Sequence, residues 1–339
     1  MISSKHVQHE EISARLSSCS DADLLAQVES AAAGAAGVGG GTALLDVGGT
    51  PVFVKRIPLT DQELARPLST ANLFELPLHC QYGIGGPGFN AWRELAANTT
   101  ATAGVLAGRT NSFPLLHHWR VLPGRAPLGA EHTEVDAAVA AMGGSTAVRA
   151  RFDAMAAASC SLVLFFEHLP GPLLGWLRED PVGRASAFDE QLSRIVAFLR
   201  ARRLLHMDGH FGNMRTDGER IYLADFGLAL SPRFELSAAE RRFARRHVAH
   251  DADHAAMRLV NWLVTEVCGV QVTGSGGVTA RNEYVLRCAS GHISPGLPPV
   301  VSELLARHAP AAARMNAFYW RLFDGDLSAE YLGPPVAWD

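Results

Sequence analysis

The chain has 339 residues, 48% hydrophobic and 19% charged, a globular composition long enough for two lobes with cores of their own. With 30 Lys plus Arg against 34 Asp plus Glu, its net charge is near −4, which leaves no basic footprint for nucleic acid or an anionic membrane. Five scattered cysteines without C-x-x-C spacing, no apolar leader after Met1 and no apolar run longer than Cys160–Phe166 argue against a structural zinc site, a signal peptide and a membrane span, so the expectation is a soluble, cytoplasmic protein.

Residues 1–33 read as a polar N-terminal extension closed by a short helix, Asp21–Glu29, behind the cap candidates Ser18 and Ser20. Lys5 lies in this tail and reads as incidental. The Gly/Ala-rich run 34–41 follows, then an alternating strand at Thr42–Val47, a Gly48-Gly49 turn and a second strand at Pro51–Ile57. A long irregular stretch with glycines from Gly83 to Gly88 precedes a helix opening at Phe89–Ala96. Ser112–Leu122 reads as a strand, and Pro123-Gly124 begins an insertion whose later part, Val135–Ala158, is Ala-rich and helical. Ser161–Phe166 is a continuous apolar run, the pattern of a buried strand, and leads into Glu167-His168-Leu169-Pro170-Gly171. In Ser186–Leu204, Phe188, Leu192, Ile195, Val196 and Leu199 form one helical stripe, a core helix running into His206. Asp217-Gly218 is a hairpin turn and Ile221–Ala224 the strand that delivers Asp225. Residues 300–339, with the aromatic cluster Phe318, Tyr319, Trp320 and Phe323, read as a final helix and an irregular end.

Two features carry chemistry. His206-Met207-Asp208-Gly209-His210-Phe211-Gly212-Asn213 puts a carboxylate and an amide on one short loop, and Asp225-Phe226-Gly227 starts twelve residues after Asn213. Second, of the 30 basic residues only Lys5 and Lys55 are lysines. Surface cations exchange Lys for Arg freely, whereas a site built for a compact ammonium does not, which marks Lys55 at the end of the second strand. Read as metal ligands, His206, Asp208 and His210 form an H-x-D-x-H cluster of the type zinc or iron takes, but no Cys or His partner with suitable spacing accompanies them. His247, His250 and His254, with Asp251 and Asp253, fall at helical spacing and read as a solvated helix face, with metal binding or a pH-sensitive contact as the other readings.

The loop and the Asp225-Phe226-Gly227 element resemble the catalytic loop and metal-binding element of the protein-kinase-like phosphotransferases, including the aminoglycoside- and choline-kinase-like enzymes. The resemblance covers roughly Gly34–Leu230 and implies an α+β, two-lobed fold. After the extension 1–33 it expects an N-lobe, 34–166, of a small antiparallel sheet with a helix, and a mostly helical C-lobe, 167–339. It implies ATP and Mg²⁺ as cofactors. Asp208 is then the carboxylate that orients the acceptor hydroxyl, His206 braces its loop, Asn213 and Asp225 hold metal, and Lys55 holds phosphates. Glu94 is the implied helix partner of Lys55, with Glu63 as the fallback. Gly37, Gly39 and Gly41 are implied as the cover over the phosphates, and Glu167 and Leu169 as hinge positions that meet adenine. Asp251 matches the helix aspartate that braces the catalytic loop.

Three departures shape the functional expectation. Glu94 lies 39 residues after Lys55, further than the family usually places it. No A-P-E follows Asp225, which is only 26 residues before Asp251, and His210 stands where Ser/Thr protein kinases carry Lys and aminoglycoside- and choline-kinase-like enzymes often carry His. The expectation is an ATP- and Mg-dependent kinase acting on an alcohol group of a small-molecule or atypical acceptor. The alternatives are a bacterial Ser/Thr protein kinase and a nucleotide-binding pseudokinase. The Ala/Arg/Gly-rich, Lys-poor composition is that of a GC-rich bacterial genome.

Overall fold

Alternation of apolar side chains along the early strands decides the architecture of the first part of the chain, because a sheet whose two faces are both apolar has to be covered twice. The structure, a computed structural model, describes residues 4–37, 40–127, 134–272 and 274–338. It divides into two compact units, Met1–Leu169 with Asp225–Arg241, and Pro170–Ala224 with Arg242–Asp339.

The first unit opens with helices α1 (Ser4–Ser18) and α2 (Asp21–Ser30). The strands are β1 (Ala32–Gly37), β2 (Gly40–Val47) and β3 (Thr50–Leu59). A short helix α3 (Asp61–Leu64) and the longer α4 (Ala91–Leu106) precede β4 (Leu116–Pro123). Helices α5 (Val135–Ala141) and α6 (Thr146–Ala157) form the insertion, and β5 (Cys160–Glu167) completes an antiparallel sheet of order β1-β2-β3-β5-β4. The turn between β2 and β3 has Gly48 at φ 64° and Gly49 at φ 86°, the two positive values of a primed hairpin turn.

One face of the sheet presents Ala43, Leu45, Val47, Val52, Val54, Val163 and Phe165, which pack with Ile12, Leu16, Leu24 and Val28 of α1 and α2. The other presents Ile57, Leu59, Leu162, Leu164 and Phe166, which pack with Ala91, Trp92 and Leu95 of α4. Each buried Val, Leu, Ile or Phe among them contributes about 1.5–3 kcal/mol. Residues 4–18 are therefore not a polar lead: they form a helix whose Ile12 and Leu16 cover the sheet, and they belong to the first unit. The Gly/Ala-rich run is strand rather than loop at 32–37 and from 40 onward.

The second unit contains β6 (Gly171–Pro172), α7 (Leu173–Glu179), α8 (Ala185–Ala201), and the hairpin β7 (Met214–Thr216) and β8 (Ile221–Leu223). The three strands make a small antiparallel sheet. Helix α9 (Ala238–Arg246) carries the chain back from the first unit, and α10 (His250–Glu266), α11 (Gly274–Ala289) and α12 (Pro299–Phe323) complete the α+β structure. The segment from Asp225 to Arg241 falls in the first unit, not with the helical part expected to hold it.

Glu63 is fully buried and is the structural centre of the stretch after β3. It closes a capping box with Thr60, its Oε1 accepts from the Ala91 N–H at 2.8 Å, and Arg151 of α6 grips both oxygens at 2.8 and 3.0 Å. Burial pushes the carboxyl up, but Arg151 and these donors hold it below the usual carboxylate range. Replacing Arg151 by Met leaves that carboxylate buried without its cation and should cost about 3–5 kcal/mol in urea denaturation, with Arg151→Met/Glu63→Gln recovering part of the loss.

Candidate functional site

Lys55 comes from β3, on the face of the sheet that packs against α4, and the strand leaves its ammonium almost fully buried. Its Nζ donates to Glu94 Oε1 at 2.7 Å and to Asp225 Oδ1 at 2.9 Å. Glu94 stands in the first turn of α4, which starts at the Asn90 cap, where the amide oxygen accepts from the Trp92 N–H. Burial alone would lower Lys55, but Asp225 and Glu94 outweigh it and hold the ammonium charged. Glu94 is pushed up to about 7, first by burial and then by the Asp225 charge, with Lys55 opposing. Lys55 therefore meets Glu94, and Glu63 is consumed by Arg151.

Asp225 sits at φ 64°, a left-handed conformation that Asp tolerates better than most residues. Its Oδ1 also accepts from the Gly227 N–H at 3.1 Å, and its side chain stays 44% exposed. A Cβ on Gly227 would lie 3.1 Å from Asp225 Oδ1, a tight contact, and 3.5 Å from Glu94 Oε2, so glycine leaves the Asp225 carboxylate uncrowded. The segment after Asp225 is pinned throughout. Phe226 packs on Phe113, the Gln81 amide donates to the Leu228 carbonyl, and Glu235 N–H donates to Thr70 Oγ1. Arg93, the neighbour of Glu94, donates to Glu240 Oε1 at 2.6 Å with both side chains buried.

The Asp208 loop is organised within the second unit. Asp251 of α10 accepts the backbone N–H of His206 at 2.7 Å and of Met207 at 3.0 Å, which holds Met207 at φ 68°. Burial would raise Asp251, but the His250 ring and the His206 neighbourhood hold it below the usual carboxylate range. His206 bridges the loop to the hairpin: Nε2–H donates to the Ala224 carbonyl at 3.0 Å, and Nδ1 accepts from the Asp208 N–H at 3.3 Å. The Asn213 amide nitrogen donates to Asp208 O at 2.9 Å and Oδ2 at 3.1 Å, so these contacts leave its Oδ1 unused. His210 turns back on its own loop: its Nδ1 accepts from the Gly212 N–H, and its Nε2 is 3.6 Å from Asp208 Oδ2. Asp208 itself remains accessible, with 26% of its side chain exposed.

The remaining expected positions are placed as follows. Gly39 lies outside the described residues, and Gly37 ends β1. At Gly41 a Cβ would meet the Pro127 ring at 2.7 Å, so packing against the insertion accounts for that glycine. Glu167 ends β5 with its side chain occupied by Lys5 Nζ at 2.6 Å and the Leu115 N–H at 3.3 Å, which leaves a ligand role to its backbone. Leu169 is buried at the end of the first unit. Lys5 is accordingly not incidental. Nor are the helix histidines a solvated face: His247, His250 and His254 are buried, His250 and His254 stack at 5.8 Å, and burial pushes His247 down to about 3. Among the described residues no group of three or more His, Cys, Asp and Glu forms a metal cage.

Asn213 Oδ1 and the Asp225 carboxylate are hard oxygen donors, the type Mg²⁺ takes while keeping most of its shell for water and substrate phosphates. Among the described residues no helix is long and apolar enough to cross a membrane. No protein-family model matches the chain, and no curated protein matches it with significant similarity.

The Glu94 shift has a thermodynamic consequence. Between pH 4.5, its ordinary value, and about 7 the folded protein keeps a proton that the unfolded chain releases, so this group contributes stability that is lost as pH rises through the window. In urea denaturation, wild type should lose stability relative to Glu94→Gln as pH rises from 4.5 to 7, and a difference that stays flat would show that Glu94 is ionised throughout.

Proposed function

We propose that the chain is an ATP- and Mg-dependent phosphotransferase that moves the γ-phosphoryl group of ATP to the hydroxyl of a small-molecule or otherwise atypical acceptor, on a protein-kinase-like fold. The observation that carries this reading is Lys55, whose ammonium is shared by a helix carboxylate and the Asp225 carboxylate. A lysine on the third strand paired with a helix glutamate is the arrangement that positions ATP phosphates in kinases, and the aspartate of Asp-Phe-Gly is their metal ligand. The strand position of Lys55 and the braced Asp208 loop support the same assignment.

In this reading Lys55 holds the α- and β-phosphates, and Glu94 fixes its direction. Mg²⁺, when bound with the nucleotide through Asp225 and Asn213, supplies neutralisation of phosphate charge. Asp208 orients the acceptor hydroxyl and receives its proton. The acceptor oxygen forms the new bond to the γ-phosphorus, the bond from that phosphorus to the β,γ-bridging oxygen breaks, and ADP leaves with the electron pair. Catalysis of this kind needs positioning and charge more than covalent chemistry. A small acceptor is favoured because the residues after Asp225, the region kinases use to dock peptides, are tied down by Gln81, Thr70 and Arg93.

Label transfer from γ-labelled ATP in a soluble extract tests the reading. Wild type should label a small solute other than free phosphate, and Asp208→Ala should lower the rate at least ~10³-fold, as loss of a positioned base does. Asp225→Ala should fold, by melting temperature, yet lose Mg-dependent turnover. Label on protein would make the acceptor a polypeptide. Nucleotide binding with no turnover in any fraction would make the chain a pseudokinase, and undiminished turnover by Asp208→Ala would remove the assignment.

A further inference from the structure

Helix α1 is fixed to the sheet in two ways. Ile12 and Leu16 join the core on one face of the sheet, as any covering helix requires. Its first turns, 4–9, are mostly polar and make close contacts of another kind. His9 Nδ1 lies 3.2 Å from Nδ1 of His117 on β4, whose ring is buried. Burial first, then His9 and Lys5, pushes His117 down to about 4, so the ring stays neutral and the contact can hold a shared proton. One turn earlier on the same face, Lys5 Nζ meets Glu167 Oε1 at 2.6 Å, at the end of β5.

Glu167 is held by three bonds. Oε1 accepts from Lys5, Oε2 accepts from the Leu115 N–H at 3.3 Å, and the Glu167 N–H donates to the Leu115 carbonyl at 2.8 Å. Without Lys5 its side chain would keep the long bond to Leu115. The ion pair is partly open to solvent, with 30% of the Lys5 side chain and 18% of the Glu167 side chain exposed, and a pair of that kind adds little to stability. What it adds is position, because a charge-assisted bond has a defined length and direction. It acts two residues before Leu169, where the first unit reaches the end of its first stretch of chain. One of just two lysines in 339 residues stands there.

We propose that Lys5 is a positioning residue for the adenine end of the nucleotide: through Glu167 it sets the backbone of 167–169. Helix α1 is then part of the nucleotide site as well as a cover for the sheet. The two lysines divide the nucleotide between them, Lys55 at the phosphates and Lys5, indirectly, at the base. The inference rests on reading 167–169 as the segment that meets adenine, but its test needs no turnover.

The test is calorimetric titration of the full chain with ADP and Mg²⁺, together with displacement of ADP by adenosine. Adenosine lacks phosphates, so its affinity reads the base end alone. Lys5→Ala should weaken ADP and adenosine by the same factor, about five-fold, the upper range for a partly exposed ion pair. Lys5→Arg should keep most of the affinity. Glu167→Gln should lose as much as Lys5→Ala, with no further loss in the double variant. With ATP as substrate, Lys5→Ala should raise KM and leave kcat in place. Melting temperatures of all variants should stay within about 3 °C of wild type.

Unchanged ADP and adenosine affinity in Lys5→Ala overturns the proposal and leaves the kinase reading standing. So does a loss for ADP with adenosine unchanged, which would place Lys5 at the phosphates, and so does ADP binding that adenosine fails to displace. A loss that accompanies a lower melting temperature and is not restored by Lys5→Arg reduces α1 to a cover for the sheet. If wild type binds neither ADP nor adenosine, the proposal and the kinase reading fall together.

Discussion

A buried ammonium cannot stay charged without carboxylates, and in this chain the compensation of Lys55 is delivered from two places, 39 and 170 residues further on. One carboxylate comes from the first turn of α4, the other from a residue with left-handed backbone, and the two share one cation. Three charges of which two repel form a stable group only with the cation between them. That requirement fixes the end of β3, the start of α4 and the entry of the chain at Asp225 relative to each other. It also bears on the glycine at 227, since a side chain there would crowd the Asp225 carboxylate. An electrostatic demand thus sets the positions of three backbone segments.

The surrounding arginines do a different job. Arg151 collects Glu63, and through it Thr60 and Ala91, so the capping box after β3 and the start of α4 are tied to α6. Arg93, one residue from Glu94, reaches Glu240 and fixes the segment that follows Asp225. Buried pairs of this type contribute little net free energy, yet breaking one is expensive. Their effect is to make the placement of Glu94 and Asp225 all-or-none. In the second unit Asp251 plays the corresponding part with backbone donors in place of a cation, and it stabilises the unfavourable φ of Met207 directly before Asp208.

What could be read from the sequence follows the range of the interactions. Strands β2, β3 and β5, the Gly48-Gly49 turn and helix α8 were legible because their signals are local: alternation, paired turn glycines and a 3.6-residue stripe. Lys55 was legible because lysine is so scarce here, whereas Glu94 was reached as its partner only through the resemblance, with Glu63 as the fallback. Helix α1 escaped because just two core residues, Ile12 and Leu16, mark its buried face, and its remaining residues are mostly polar. The burial of His247, His250 and His254 was hidden because Tyr319 and Tyr331, which cover them, come from the far end of the chain. The membership of Asp225–Arg241 in the first unit was equally out of reach, since it depends on Arg93 and Glu240, 147 residues apart. Side chains whose partners are remote carry no local signature.

Division of labour between the two cations makes the remaining charges interpretable. Lysine, a compact ammonium, is used twice in 339 residues, and both times it ends on a carboxylate, Lys55 on Glu94 and Asp225, Lys5 on Glu167. Arginine, whose fork can satisfy several acceptors at once, carries the buried structural pairs. Within that scheme each buried arginine pair ties two separated segments together, Arg151 the capping box after β3 to α6, and Arg93 the start of α4 to the segment that follows Asp225.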